Sequence, residues 1–280
     1  MNIQDAIKEG SKTLKYFSSK TPLLDSEIIM SKVINKDRHF MILNPDLILK
    51  EDDLNSFKRL IKKRSKGNPI SYLIGKKSFW KNDFEVNNNV LIPRPDTELI
   101  IEETLKLFKY KNKLKILDIG VGSGCILLSI LNEKKNFYGV GIDISKKCID
   151  ITKKNSFKLN LDKRVKFFKS NVDNFNYGKY DLIISNPPYI KKFDLKYLEK
   201  DVVNFEPKLA LNGGLDGLSE IRKVIYKSSE LIKTKGKLIL EIGFDQKEKV
   251  KNILNKKGFY INKILKDYAY NDRCIISTKQ

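Results

Sequence analysis

The sequence predicts a doubly wound α/β domain built on a mostly parallel sheet, preceded by a small all-helical domain. Three observations carry this. From residue 93 onward, short apolar runs alternate with helical patterns across short connections, the order that covers both faces of a parallel sheet with helices. One of those runs, Lys115-Ile116-Leu117-Asp118-Ile119, leads into a glycine-rich turn that opens a helix, Gly120-Val121-Gly122-Ser123-Gly124. Residues 1–75, by contrast, show only helical periodicity. A chain of 280 residues with 41% hydrophobic residues has room and apolar surface for one large and one small domain.

In the first domain, Ile3, Ala6, Ile7, Leu14 and Phe17 recur at helical spacing, followed by Leu24, Ile28, Ile29 and Val33. Pro22 suits the first turn of that second helix, with Thr21 as its cap. Asp52 and Asp53 open a third, with Leu54, Phe57, Leu60 and Ile61 on one face. The basic run Lys62-Lys63-Arg64-Ser65-Lys66-Gly67 reads as a solvated helix end. Over residues 76–92 the period changes to alternation, with Phe79, Trp80, Phe84, Val86, Val90, Leu91 and Ile92 falling around hairpin turns at Asn82-Asp83 and Asn87-Asn88-Asn89. The expected organisation is therefore helical domain 1–75, hairpin linker 76–92 and catalytic domain 93–280. In the last of these, strands are expected at Lys115–Ile119, Phe137–Ile142, Val165–Phe168, Tyr180–Ser185, Lys237–Glu241, Phe259–Leu265 and Cys274–Thr278. Helices follow Gly124 and Ser145 and cover Leu218–Ile232 and Gln246–Asn255.

Several function classes are excluded early. No run reaches the 18 or so apolar residues of a membrane span, and the first residues lack the basic and apolar regions of a signal peptide. Cys125, Cys148 and Cys274 are odd in number and irregularly spaced, so neither a disulfide framework nor a zinc site is expected. His39 is the only histidine, which argues against a Ser-His-Asp triad or a His-based metal centre. The chain reads as cytoplasmic. Its net charge of +21 favours a polyanionic encounter. Seven arginines against 48 lysines are equally a matter of background composition, so the charge does not decide function.

Two motifs carry chemistry. In the first, the glycines of Gly120–Gly124 let the backbone turn tightly and approach a ligand. Asp143 ends the next apolar run, 19 positions after Gly124, where an acidic side chain can accept the hydroxyls of an adenosine ribose. The spacing is G-x-G-x-G rather than the dinucleotide G-x-G-x-x-G, which alone leaves a nicotinamide enzyme open. In the second, Tyr180-Asp181-Leu182-Ile183-Ile184-Ser185 runs straight into Asn186-Pro187-Pro188-Tyr189. Ligands bind at the carboxyl ends of strands in such sheets, so this tetrapeptide belongs beside the glycine loop. Its prolines remove two donors and fix φ. Asn186 and the Pro187 carbonyl offer acceptors and Tyr189 an aromatic face, which suits a planar NH2 group: an amide or the amine of adenine.

Together these motifs resemble class I methyltransferases that use S-adenosylmethionine to alkylate a planar nitrogen. Val90-Leu91-Ile92-Pro93-Arg94-Pro95-Asp96-Thr97-Glu98, Asn204-Phe205-Glu206-Pro207-Lys208-Leu209-Ala210-Leu211, Gly213-Gly214-Leu215-Asp216-Gly217-Leu218 and Asn271-Asp272-Arg273 resemble the peptide chain release factor glutamine methyltransferases. The resemblance implies a Rossmann-like, mostly parallel seven-stranded sheet, S-adenosylmethionine as cofactor, no metal, and a class 1 release factor as protein substrate. It implies that Gly120, Val121, Gly122, Ser123, Gly124, Asp143, Asn171 and Asn186 hold the cofactor, with Asn171 standing where related enzymes carry an adenine-binding Asp. Asn186, Pro187, Pro188 and Tyr189 are the implied substrate loop, and Asn186, Pro187 and Tyr189 the catalytic residues. The expected enzyme is a monomer without need of nucleic acid or membrane. The alternatives are an adenine-N6 methyltransferase acting on RNA or DNA and, from another class, a non-catalytic nucleotide-binding assembly factor.

Overall fold

The computed structural model describes residues 1–280. The chain divides into two compact units. One comprises Met1–Lys76 with Glu199–Phe205, the other Lys77–Leu198 with Glu206–Gln280.

The first unit contains α1 (Ile3–Tyr16), α2 (Pro22–Ile34), α3 (Arg38–Leu43), α4 (Glu51–Ser65) and α5 (Ile70–Ile74). Ile3, Ala6, Leu14, Ile29, Met30, Phe57 and Ile61 form its core. Gly10 lets α1 approach closely, since a Cβ there would lie 2.6 Å from Ser26 Oγ and 2.8 Å from Phe57 Cζ. Pro22 does open α2, but Thr21 makes no side-chain cap; its hydroxyl donates to Asp25 Oδ1 at 3.0 Å. Asp25 is the hub of this unit. It also accepts from Ser19 Oγ at 2.9 Å and from Arg64 Nε at 2.7 Å. Arg64 thus departs from the solvated helix end expected for its run, while Lys62, Lys63 and Lys66 are exposed.

β1 (Lys76–Phe79) and β2 (Asn82–Glu85) form a hairpin. It turns at Trp80-Lys81 rather than at Asn82-Asp83, which lie in β2. Burial overrides the turn preference of Asn-Asp, because Phe79 and Phe84 both enter the core. Glu98 Oε1 fastens the turn by accepting the Trp80 N–H at 2.7 Å.

The second unit continues with α6 (Glu98–Leu107), β3 (Leu114–Ile119), α7 (Cys125–Glu133), β4 (Phe137–Asp143), α8 (Lys146–Lys158), β5 (Val165–Lys169) and β6 (Tyr180–Ser185). After α9 (Lys200–Phe205), which counts with the helical unit, come α10 (Ser219–Leu231), β7 (Ile232–Glu241), α11 (Lys247–Lys256), β8 (Phe259–Lys266) and β9 (Asp272–Lys279). The short helices α3, α5 and α9, of five or six residues, leave too little periodicity to be read from sequence.

Seven strands lie in the order β5-β4-β3-β6-β7-β9-β8. β3 to β7 pair in parallel, and β9 pairs antiparallel to both β7 and β8. Successive side chains point to opposite faces, so β3 sends Leu114 and Ile116 to one core and Leu117 and Ile119 to the other. α7 packs on the first face with Ile126, Leu127, Leu128 and Ile130. α10 and α11 pack on the second through Ile221, Val224, Ile225, Val250 and Leu254. Each such aliphatic side chain, removed from water, contributes about 1.5–3 kcal/mol.

The register positions the site. Ile142, Ile119, Ser185 and Leu240 are aligned across β4, β3, β6 and β7. The next residues are Asp143, Gly120, Asn186 and Glu241, so four chemically distinct positions stand in one row at the carboxyl edge. The strand order reverses between β3 and β6, the place where open α/β sheets bind ligands.

Candidate active site

The glycine loop leaves β3 with Gly120 and Val121 both donating N–H groups to the Ile142 carbonyl at 2.9 Å. Its two ends need glycine for different reasons. Gly120 has φ +79° and open space where a Cβ would stand, whereas Gly124, at φ +82°, would put one 2.8 Å from Leu128 and Thr152. The loop is open above and closed beneath. α8 holds it there, with Thr152 Oγ1 donating to the Gly122 carbonyl at 2.6 Å and Asn155 Nδ2 to the Ser123 carbonyl at 2.8 Å.

Asp143 accepts the Gly122 N–H at 3.0 Å and the Ser145 N–H at 2.9 Å, one on each oxygen. Burial pushes its pKa up and these two amides hold it down. Each carboxylate oxygen has a second lone pair, so the side chain can serve the loop and a ligand together. The Ser170 N–H donates to the Asp143 carbonyl at 2.9 Å, which brings Asn171 to the same edge. Asn171 is exposed, and its Oδ1 accepts the Asp173 N–H at 3.2 Å.

Across the strand-order reversal, Ser185 Oγ donates to the Ile119 carbonyl at 2.7 Å and ties the end of β6 to the glycine loop. Asn186 Nδ2 donates to Thr97 Oγ1 at 3.2 Å. Gln246 Nε2 holds the far end of the tetrapeptide by donating to the Tyr189 carbonyl at 2.9 Å and to the Gly217 carbonyl at 3.0 Å. Gly213 packs so closely that a Cβ would lie 2.8 Å from Tyr189 Cα and 2.9 Å from the Pro188 carbonyl oxygen. The Gly-Gly-Leu-Asp-Gly stretch is therefore the backing of the Asn-Pro-Pro-Tyr loop.

Behind that loop Glu241 is 2% exposed. It accepts from Thr97 Oγ1 at 2.7 Å and from the Tyr189 hydroxyl at 3.4 Å. Burial pushes its pKa up to about 7, against the pull of Thr97 and Arg273. Arg273 donates to the Tyr189 hydroxyl at 3.4 Å and pairs with Asp267 at 2.8 Å. Arg94 pairs with Glu206, whose other oxygen accepts the Ile92 N–H at 3.3 Å, so both of these side chains are engaged within the fold. Cys125 is a buried packing residue whose thiol pKa rises to about 12.

The family profile described as PrmC N-terminal domain matches residues 5–75, and that of the methyltransferase small domain matches residues 97–208. The release factor glutamine methyltransferase of Clostridium acetobutylicum is 37% identical over 100% of this chain and 99% of its own length. That of Buchnera aphidicola subsp. Baizongia pistaciae is 39% identical over the whole of both. The chain belongs to the release factor glutamine methyltransferase family. Among solved structures, a methyltransferase from Pyrococcus furiosus superposes with a TM-score of 0.55 at 19% identity, over 79% of this chain and 97% of its own. The ribosomal protein L11 methylase from Lactobacillus delbrueckii subsp. bulgaricus gives 0.52 at 17%, over 73% and 90%. The fold is that of class I S-adenosylmethionine-dependent methyltransferases, as the sequence led us to expect.

The residues present fit the cofactor of this family. Besides the open loop and Asp143, the site has an orphan: Asp118, 1% exposed, has both carboxylate oxygens without a hydrogen-bond partner. Burial, reinforced by the Asp143 charge, pushes its pKa up to about 8. A buried carboxyl left this way suits a cationic group such as the cofactor's ammonium.

Sequence reasoning did not single out Thr97, Glu241 or Gln246, the side chains that brace the Asn-Pro-Pro-Tyr loop. Glu241 carried a signal, a charged residue closing the apolar run Leu238-Ile239-Leu240. Thr97 carried one too, its place in the Val90–Glu98 stretch, and Gln246 carried none.

Proposed function

We propose that this chain transfers a methyl group from S-adenosylmethionine to the side-chain amide nitrogen of the glutamine in the Gly-Gly-Gln motif of class 1 peptide chain release factors, tuning translation termination. The observation that carries the reading is the row Asp143, Gly120, Asn186 at one sheet edge, which sets a cofactor cradle beside an acceptor-rich loop.

S-adenosylmethionine supplies an activated methyl on a sulfonium, a leaving group that needs no acid. An amide nitrogen is a weak nucleophile because its lone pair is delocalised. The task left to the protein is orientation. Asn186 Oδ1 and the Pro187 carbonyl accept the two N–H bonds of the substrate amide and aim its nitrogen. These bonds strengthen as positive charge develops on nitrogen, so they favour the transition state over the bound substrate. Tyr189 gives the amide a flat wall. Gly120–Gly124, Asp143 and Asn171 hold the cofactor, with Asp118 toward its ammonium. The alkylated amide loses its proton to water.

In this reading residues 1–75 hold the release factor, the enzyme works as a monomer in the cytoplasm, and no nucleic acid is needed. No helix is long and apolar enough to cross a membrane. The test is incubation with labelled S-adenosylmethionine and either purified release factor or total RNA. Label on the glutamine-bearing peptide is expected; label on RNA alone overturns the reading in favour of adenine methylation.

A further inference from the structure

Asn186 is not free to choose which end of its amide faces the pocket. Its Nδ2 donates to Thr97 Oγ1, and Thr97 spends its own proton on Glu241 Oε2. A hydroxyl has a single proton and two lone pairs. Once that proton is committed to Glu241, Thr97 offers Asn186 only lone pairs. The amide must then turn its NH2 toward Thr97 and its carbonyl oxygen away.

We infer that Glu241, acting through Thr97, is a positioning residue that fixes the orientation of the Asn186 amide and so decides whether the site shows the substrate an acceptor or a donor. The inference rests on the glutamine-methylation reading for its catalytic meaning, though the relay itself is a property of the free protein.

The surroundings make Glu241 a responsive element. From β9 it faces Arg273 and Cys274, from the 3₁₀ turn Pro95–Thr97 it faces Asp96 and Thr97, from the substrate loop Tyr189, and from α7 Cys125. Only Arg273 among these is cationic, and Asp267 already engages it. Burial without a dedicated counter-charge is why the Glu241 carboxyl titrates near 7. Ionised, it accepts from both Thr97 and Tyr189. Protonated, it can donate to Thr97 Oγ1, which frees the Thr97 proton for Asn186 Oδ1. The amide then flips and points Nδ2 at a substrate NH2 that it can only repel.

The experiment follows the Asn186 side-chain amide by ¹⁵N NMR, assigned with Asn186→Ser, from about pH 5.5 to about 8.5. In the wild-type protein the resonance is expected to shift with a midpoint at about 7. The shift is lost in Glu241→Gln and Thr97→Val and kept in Thr97→Ser. In turnover assays kcat falls on the acid side of the same midpoint, with affinity for S-adenosylmethionine unchanged. Thr97→Val lowers kcat by about ten- to a hundredfold, and Thr97→Ser restores it. An Asn186 amide that stays still across this range, or a Thr97→Val enzyme with wild-type kcat, overturns the inference. An amide that titrates in an enzyme labelling only RNA defeats the glutamine reading and leaves the relay standing.

Discussion

Gly122 donates its backbone N–H to Asp143 at 3.0 Å, so the residue expected to bind ribose is also a strut of the loop beside it. The two parts of the proposed cofactor cradle are thus mechanically one. A ligand that bonds Asp143 also reinforces the conformation of Gly120–Gly124.

Asp143→Ala is accordingly expected to weaken S-adenosylmethionine binding by about 1–3 kcal/mol. Isothermal calorimetry measures this directly. Unchanged affinity would remove Asp143 from the site.

Asn186→Ala is expected to reduce kcat by an amount equivalent to about 2–4 kcal/mol in the barrier while cofactor affinity stays within a few-fold. The side chain projects from the end of β6 and bonds within the fold only to Thr97, so its loss leaves the sheet intact. Turnover with labelled cofactor, alongside a binding titration, separates the two effects. Wild-type turnover would sink the proposed geometry.

Asp118 makes a prediction about stability. In the unfolded chain its carboxyl titrates near 3.8, and in the folded protein at about 8. The folded state therefore holds the proton more tightly, and its stability declines as pH rises between those values. The full cost is present above about 8. Asp118→Asn is expected to remove this decline, giving a higher melting temperature than wild type at alkaline pH. The same change is expected to weaken cofactor binding by removing the ammonium's partner. Thermal melts across pH, with and without cofactor, read both. A wild-type melting temperature that rises through this range contradicts the assignment.

Arg64→Ala should destabilise the helical unit by about 3–5 kcal/mol, because Asp25, 4% exposed, would keep its buried charge without a counter-ion. Replacing both by a well-packed apolar pair should cost far less. Hydrogen exchange in α2 and α4 is the appropriate measurement.

What could be read from the sequence and what could not follows from how each feature is encoded. The glycine loop and the Asn-Pro-Pro-Tyr loop are contiguous, each attached to an apolar strand, so composition and order locate them. Asp143 was legible because it ends such a strand. Thr97 and Glu241 are 144 residues apart and become partners only because the 3₁₀ turn Pro95–Thr97 ahead of α6 meets the carboxyl end of β7. No local pattern records that. The hairpin shows the converse, a local preference at Asn82-Asp83 that the burial of Phe79 and Phe84 overrules. Arg64 is similar: charge alone read as solvent-facing, and only the fold brings Asp25 to it.

The paired prolines have a consequence for fidelity. With no amide hydrogens at 187 and 188, and the Asn186 NH2 turned toward Thr97, the loop meets an incoming side chain chiefly with acceptors. A glutamate differs from glutamine by one atom of nearly equal size, yet its carboxylate would bring two lone-pair-bearing oxygens against a wall of acceptors. Shape cannot separate those side chains, but polarity can. A target that has lost its amide by hydrolysis would be turned away unmarked.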